Sequence, residues 1–127
     1  MAKIHVIDDY RPMRELLRAH LSVMGYEVTV SADPTEAIRT LLKESFDLII
    51  CDIDMPYMTG LELLAAIKGD AQTRQTPVIM LTARVDDDSF MEAIKLGAAR
   101  YVTKPVKIEE LAREVKAALA KSRPRVV

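Results

Sequence analysis

The chain has 127 residues, 50% of them apolar and 29% charged, a balance that fits one compact domain and leaves little room for two. Eighteen basic side chains against nineteen acidic ones give a net charge of −1, which excludes a surface built mainly to attract nucleic acid or an anionic membrane. One cysteine, Cys51, excludes an intramolecular disulfide and a cysteine-built zinc cage, and no run nears the roughly 18 apolar residues of a membrane span.

Short apolar runs alternate with longer stretches of helical period, the pattern of βα units folded into a parallel sheet, and five such units can be counted. Ile4-His5-Val6-Ile7 is the first predicted strand. After Pro12, the residues Met13, Leu16, Leu17, Leu21 and Met24 form a stripe spaced by three and four, and Gly25 suits the left-handed residue that ends such a helix. Tyr26 to Val30 alternates with period two, as a half-exposed edge strand does. Asp33 caps the second helix, Pro34 takes its first position, and Glu36 stands where a capping box places an acid. Ala37, Ile38, Leu41 and Leu42 supply that helix's buried face.

Leu48-Ile49-Ile50-Cys51 is apolar throughout, which assigns it to the centre of the sheet. Beyond Pro56 and Gly60, the residues Leu61, Leu63, Leu64 and Ile67 mark a third helix that Gly69 terminates. Pro77 to Leu81 is the fourth strand. Asp86, Asp87 and Asp88 then favour the start of a helix carrying Phe90, Met91, Ile94 and Leu96, closed by Gly97. Ala99 to Val102 is the fifth strand, and Ile108, Leu111, Val115 and Leu119 mark the last helix. The domain is expected over residues 1–121, with residues 122–127 as a basic, proline-broken tail. No apolar signal core follows Met1-Ala-Lys3, so the chain reads as cytoplasmic.

The chemistry gathers where the strands finish, because open doubly wound sheets bind ligands beyond the carboxyl ends of their strands. Asp8 and Asp9 end the first strand, Asp52 the third and Thr82 the fourth, and Lys104 lies just past the fifth. Converging carboxylates repel one another unless a divalent cation sits among them, and oxygen-only ligands favour a hard ion, Mg2+ first, with Mn2+ as a substitute. Beside such a cluster an aspartate can act as nucleophile toward phosphorus, with metal, lysine and threonine neutralising the phosphoryl oxygens. Paired acids after a strand also cap helices, and that alternative applies to Asp8 and Asp9 taken alone.

These residues resemble the receiver domain of two-component response regulators over about residues 3 to 120. The resemblance rests on Asp8-Asp9, on Asp52-Ile-Asp54-Met55-Pro56 followed by Gly60, on Thr82-Ala83 and on Lys104-Pro105. It implies a flavodoxin-like doubly wound (βα)5 fold with a five-stranded parallel sheet in the order 2-1-3-4-5. Asp52 then matches the phosphoacceptor, served by a histidine kinase or a histidine phosphotransfer protein. Asp9 matches a direct Mg2+ ligand, Asp8 acts through a bound water, and position 54 lends its backbone carbonyl. Thr82 and Lys104 match the residues that hold the phosphoryl oxygens. Tyr101 matches the aromatic that turns inward when Thr82 moves. The output face is then the fourth helix, fifth strand and fifth helix, with a downstream protein target or a phosphorylation-dependent homodimer as occupant. It implies no enzyme in the metabolic sense, no nucleic-acid contact within the chain and no membrane partner.

Asp54 and Arg84, two residues beyond the acceptor and the threonine, form a candidate pair across the site mouth that restricts the attacking water and so tunes phosphoryl lifetime. Met13, Leu17 and Pro105 are candidates for docking a kinase histidine, although Met13 and Leu17 also suit a core stripe. A haloacid dehalogenase-type phosphatase would share the Asp52-x-Asp54 arrangement, and a flavodoxin-like FMN carrier would share the sheet. The anionic Asp8-Asp9 stands where an FMN-phosphate loop needs Ser, Thr and Gly. A scaffold using the fold without its chemistry is a third alternative.

Overall fold

A computed structural model describes residues 1–122; the predicted basic tail, residues 122–127, lies outside the described residues except for Ser122, the last residue of the final helix. The elements run β1 (Lys3–Ile7), α1 (Arg11–Val23), β2 (Glu27–Ser31), α2 (Pro34–Lys43), β3 (Leu48–Cys51), α3 (Gly60–Gly69), β4 (Val78–Thr82), α4 (Asp87–Lys95), β5 (Arg100–Thr103) and α5 (Ile108–Ser122). The strands form one five-stranded sheet in the order β2-β1-β3-β4-β5, parallel at every pairing. Among the described residues no helix is long and apolar enough to cross a membrane.

Strand alternation sorts the core into two layers. Ile7, Ile49, Cys51, Val78 and Met80 face α2, α3 and α4, packing with Ala37, Leu41, Leu63, Leu64, Ile67 and Ala93. Ile4, Val6, Leu48, Ile50, Ile79 and Leu81 face the other way, onto Leu17 and Leu21 of α1 and Leu111, Val115 and Ala118 of α5. Both faces of β3 and β4 are therefore covered, which accounts for their unbroken apolar sequences. Each such fully buried Leu or Ile contributes about 1.5–3 kcal/mol relative to its exposed state. β2 lies at the edge and is only half-buried, in keeping with its alternating sequence.

Local signals act where they were read, with some differences. The Asp33 side chain accepts from the Glu36 amide and Pro34 opens α2, while a reciprocal capping box forms one helix later, between Thr59 and Glu62. Asp86 caps α4 by accepting from Ser89. Gly25 and Gly97 take left-handed φ angles of 95° and 101° after α1 and α4. Gly69 is instead the last residue of α3, followed by an extended Asp70.

Leu42, assigned to the buried face of α2, proves 62% accessible, and on α4 the apolar Phe90, Met91 and Ile94 stand open, leaving Ser89 and Ala93 to face the sheet. Helical spacing identifies which residues share a side; it does not say how far the neighbouring helices reach. Leu17 is 2% exposed and belongs to the core, which corrects its candidacy as a docking residue, whereas Pro105 is exposed and Met13 half-buried.

Candidate functional site

The carboxyl ends of β1, β3 and β4 bring the predicted residues together. Asp8 follows β1 and is almost fully buried, its amide donating to the Ser31 carbonyl at 3.2 Å. Its Oδ1 accepts from the Tyr10 amide at 2.9 Å, and its carbonyl accepts from the Arg14 guanidinium at 2.9 Å. Asp9 is exposed. Asp52 follows β3, held through its amide to the Ile7 carbonyl at 3.1 Å, and is 8% exposed. One carboxylate oxygen from each of Asp8, Asp9 and Asp52 lies within 4.8 Å of the others.

Lys104 answers this charge. Its ammonium donates to Asp8 Oδ2 at 3.0 Å and to Asp52 Oδ2 at 3.3 Å. Burial works against the ammonium, but the hydrogen bond and charge of Asp8, joined by those of Asp52, overcome it and raise the Lys104 pKa. The lysine stays charged at neutral pH. Its position is fixed by its own amide, which donates to the Thr82 carbonyl at 2.8 Å, ahead of a cis Lys104–Pro105 bond. Asp52 Oδ1 accepts from the Ile53 amide at 2.7 Å, so Oδ2 is the oxygen presented to the lysine.

One ammonium against three carboxylates leaves the cluster net negative. All the donors are hard oxygens, and Asp9 is free of the lysine contact that occupies Asp8 and Asp52. This set fits a small divalent cation such as Mg2+.

The remaining candidates run outward from Thr82 to the exposed Asp54 and Arg84. Thr82 ends β4 fully buried, and its Oγ1 accepts from the Arg84 amide at 3.2 Å. Arg84 holds Asp54 side-on, Nε reaching both carboxylate oxygens at 2.9 and 3.1 Å and the terminal nitrogen reaching Oδ1 at 2.7 Å. The pair expected at the mouth is thus formed, each side chain about half exposed. The pair also commits the Asp54 carboxylate to a guanidinium, whereas a phosphatase of the Asp-x-Asp type needs its second acid free to transfer a proton. The Tyr101 hydroxyl donates to the Arg84 carbonyl at 3.0 Å, and its ring meets Phe90 edge-on at 5.3 Å.

Sequence reasoning missed Arg14, because nothing in its spacing signals the Asp8 carbonyl that it reaches. Gly60 was visible as a motif position, but the reason for glycine is a backbone approach: a Cβ there would stand 1.9 Å from the Asp52 carbonyl oxygen.

Comparison with known proteins bears on the same residues. The family described as the response regulator receiver domain matches residues 4–116. The chemotaxis protein CheY of Pseudomonas aeruginosa is 35% identical over 114 residues, covering 89% of this chain and 92% of that one. The transcriptional regulatory protein CpxR of Escherichia coli K12 is 39% identical over 122 residues, covering 96% of this chain but 51% of CpxR, so the chain spans about half that relative's length. The solved structure of the response regulator protein TrrA of Thermotoga maritima, in complex with Mg2+-BeF, is 33% identical with a TM-score of 0.83, covering 93% of this chain and 99% of that one.

Proposed function

The chain belongs to the response regulator receiver family of two-component signalling, and from that premise we propose that Asp52 accepts a phosphoryl group from a phosphohistidine of a sensor kinase or phosphotransfer protein. Asp52 Oδ2 forms the new bond to phosphorus as the phosphorus–nitrogen bond breaks, and the imidazole leaves with the bonding pair. Oδ1 is already held by the Ile53 amide, which orients the carboxylate for that attack. The Lys104 ammonium neutralises one phosphoryl oxygen and the Thr82 hydroxyl a second. Asp8, Asp9 and Asp52, with the Asp54 backbone carbonyl, are the residues to hold Mg2+, which when bound supplies further neutralisation of phosphoryl charge. A carboxylate attacks through an oxygen lone pair, so the step needs no separate general base. The observation that carries this reading is Lys104 shared at 3.0 and 3.3 Å between Asp8 and an Asp52 whose other oxygen is fixed.

Phosphorylation then switches the face formed by α4, β5 and α5 to control a partner protein. A phosphoryl group adds charge and acceptor oxygens beside Thr82, and Thr82 connects through Arg84 to Tyr101 and Phe90. The open apolar side chains of α4 support this face as the contact surface. Asp54 and Arg84 screen the site mouth and lengthen the life of the acyl phosphate. The role is signalling rather than metabolic turnover.

Radiolabelled phosphate on the histidine of a phosphotransfer protein is expected to pass to the wild-type chain in the presence of Mg2+ and not to Asp52→Asn. Label that reaches both proteins equally, or remains on the donor with both, contradicts Asp52 as the acceptor.

A further inference from the structure

Arg84 joins three segments through three different groups. Its guanidinium grips Asp54, in the loop after β3; its amide donates to the Thr82 hydroxyl, at the end of β4; and its carbonyl receives the Tyr101 hydroxyl, on β5. The three contacts cannot be adjusted independently, because one residue's backbone and side chain carry all of them. The guanidinium approach to Asp54 is the most demanding, since a planar donor set on a planar carboxylate fixes orientation as well as distance.

We infer that the Asp54–Arg84 ion pair is a latch that holds the resting arrangement of the segment after β4 and so sets how readily Thr82 and Tyr101 switch. The inference rests on Asp52 being the phosphoacceptor and deepens that reading. A phosphoryl group on Asp52 draws the Thr82 hydroxyl toward it, and the Arg84 amide must follow Thr82 or lose its acceptor. Following Thr82 displaces the Arg84 backbone, which moves the acceptor of Tyr101 and strains the grip on Asp54, whereas staying in place costs the hydrogen bond to Thr82. The ion pair is a favourable contact of the resting arrangement, so its removal lowers the free energy needed to leave that arrangement. The latch therefore acts before any phosphoryl group arrives, unlike a pair that only screens water from the acyl phosphate.

The test is backbone-amide NMR of the full chain, with Mg2+ and beryllofluoride as a phosphoryl mimic to define the switched end point. Signals are read at residues 89–93, 102 and 103, away from the substituted side chains. Without the mimic, Arg84→Ala and Asp54→Asn are each expected to move these signals part-way along the wild-type response, with the switched population raised about two- to fivefold, the range open to a half-exposed ion pair. The double variant should move no further than either single one, and the exchange Asp54→Arg with Arg84→Asp should return toward wild type. Single variants whose signals coincide with wild type or move the opposite way, or single effects that add in the double variant, overturn the latch. A wild-type chain that gives no response to the mimic beyond that of Asp52→Asn overturns the acceptor reading and the latch with it.

Discussion

Gly60→Ala is expected to lower folding stability by about 3 kcal/mol and to displace Asp52 from its position beside Lys104. A Cβ at this position would stand 1.9 Å from the Asp52 carbonyl oxygen, 2.7 Å from its carbonyl carbon and 2.8 Å from Ile53 Cα. All three are backbone atoms, so no rotamer change can relieve the overlap. The Gly60 amide donates to the Ile53 carbonyl at 2.7 Å, the contact that closes the loop from β3 into α3. Gly60 is needed for space, not for a left-handed backbone. Gly69→Ala is the matched control, because a Cβ there meets nothing within 4 Å and alanine favours the helix by up to about 1 kcal/mol. Denaturant midpoints check both: a large loss for Gly60→Ala beside a neutral or slightly stabilised Gly69→Ala is expected, and equal midpoints contradict it.

Acid should reveal a second buried determinant, His5, which is completely inaccessible on β1. Its Nε2 meets Ser31 Oγ at 2.6 Å, its Nδ1 has no partner, and its ring stacks on Phe46 with centroids 4.7 Å apart. Burial pushes the imidazole pKa down to about 4, against a smaller opposing influence from the Glu44 charge. The folded pKa lies below the unfolded value near 6.5, so the unfolded chain binds the proton more readily. The stability that follows from neutral His5 is complete above about pH 6.5, declines as pH falls and is lost once pH has passed about 4. The total is about 3 kcal/mol. His5→Leu keeps an apolar strand residue and removes the titration. The stability difference between wild type and His5→Leu should therefore change between pH 7 and pH 4.5, with wild type losing more. A difference that stays constant across that range contradicts the assignment.

The fold was legible because two periodicities alternate cleanly. Leu48 to Cys51 could only be a covered strand, and Asp33-Pro34 could only begin a helix in that context. The site was legible for the same reason: Asp8, Asp52 and Thr82 stand at strand ends, and parallel strands put their carboxyl ends on one edge. The Asp54–Arg84 pair followed from equal offsets beyond neighbouring strands β3 and β4.

What sequence did not disclose depends on three-dimensional proximity. The pair Asp8-Asp9 gives no sign that only Asp8 is buried against Lys104 while Asp9 stays open. Leu42, Phe90, Met91 and Ile94 obey helical spacing yet remain exposed. Leu17 sits on the side of α1 that faces the sheet, so the core alternative that its stripe offered is the one realised. Gly60 and Arg14 act on backbone carbonyls, which carry no sequence label.

Intact mass after incubation with acetyl phosphate, with and without Mg2+, measures the central claim most directly. The chain should gain the mass of one phosphoryl group only when Mg2+ is present, and Asp52→Asn should gain none. A wild-type chain that remains unmodified with acetyl phosphate and with a histidine-phosphorylated donor, or an adduct that persists in Asp52→Asn, would contradict the account.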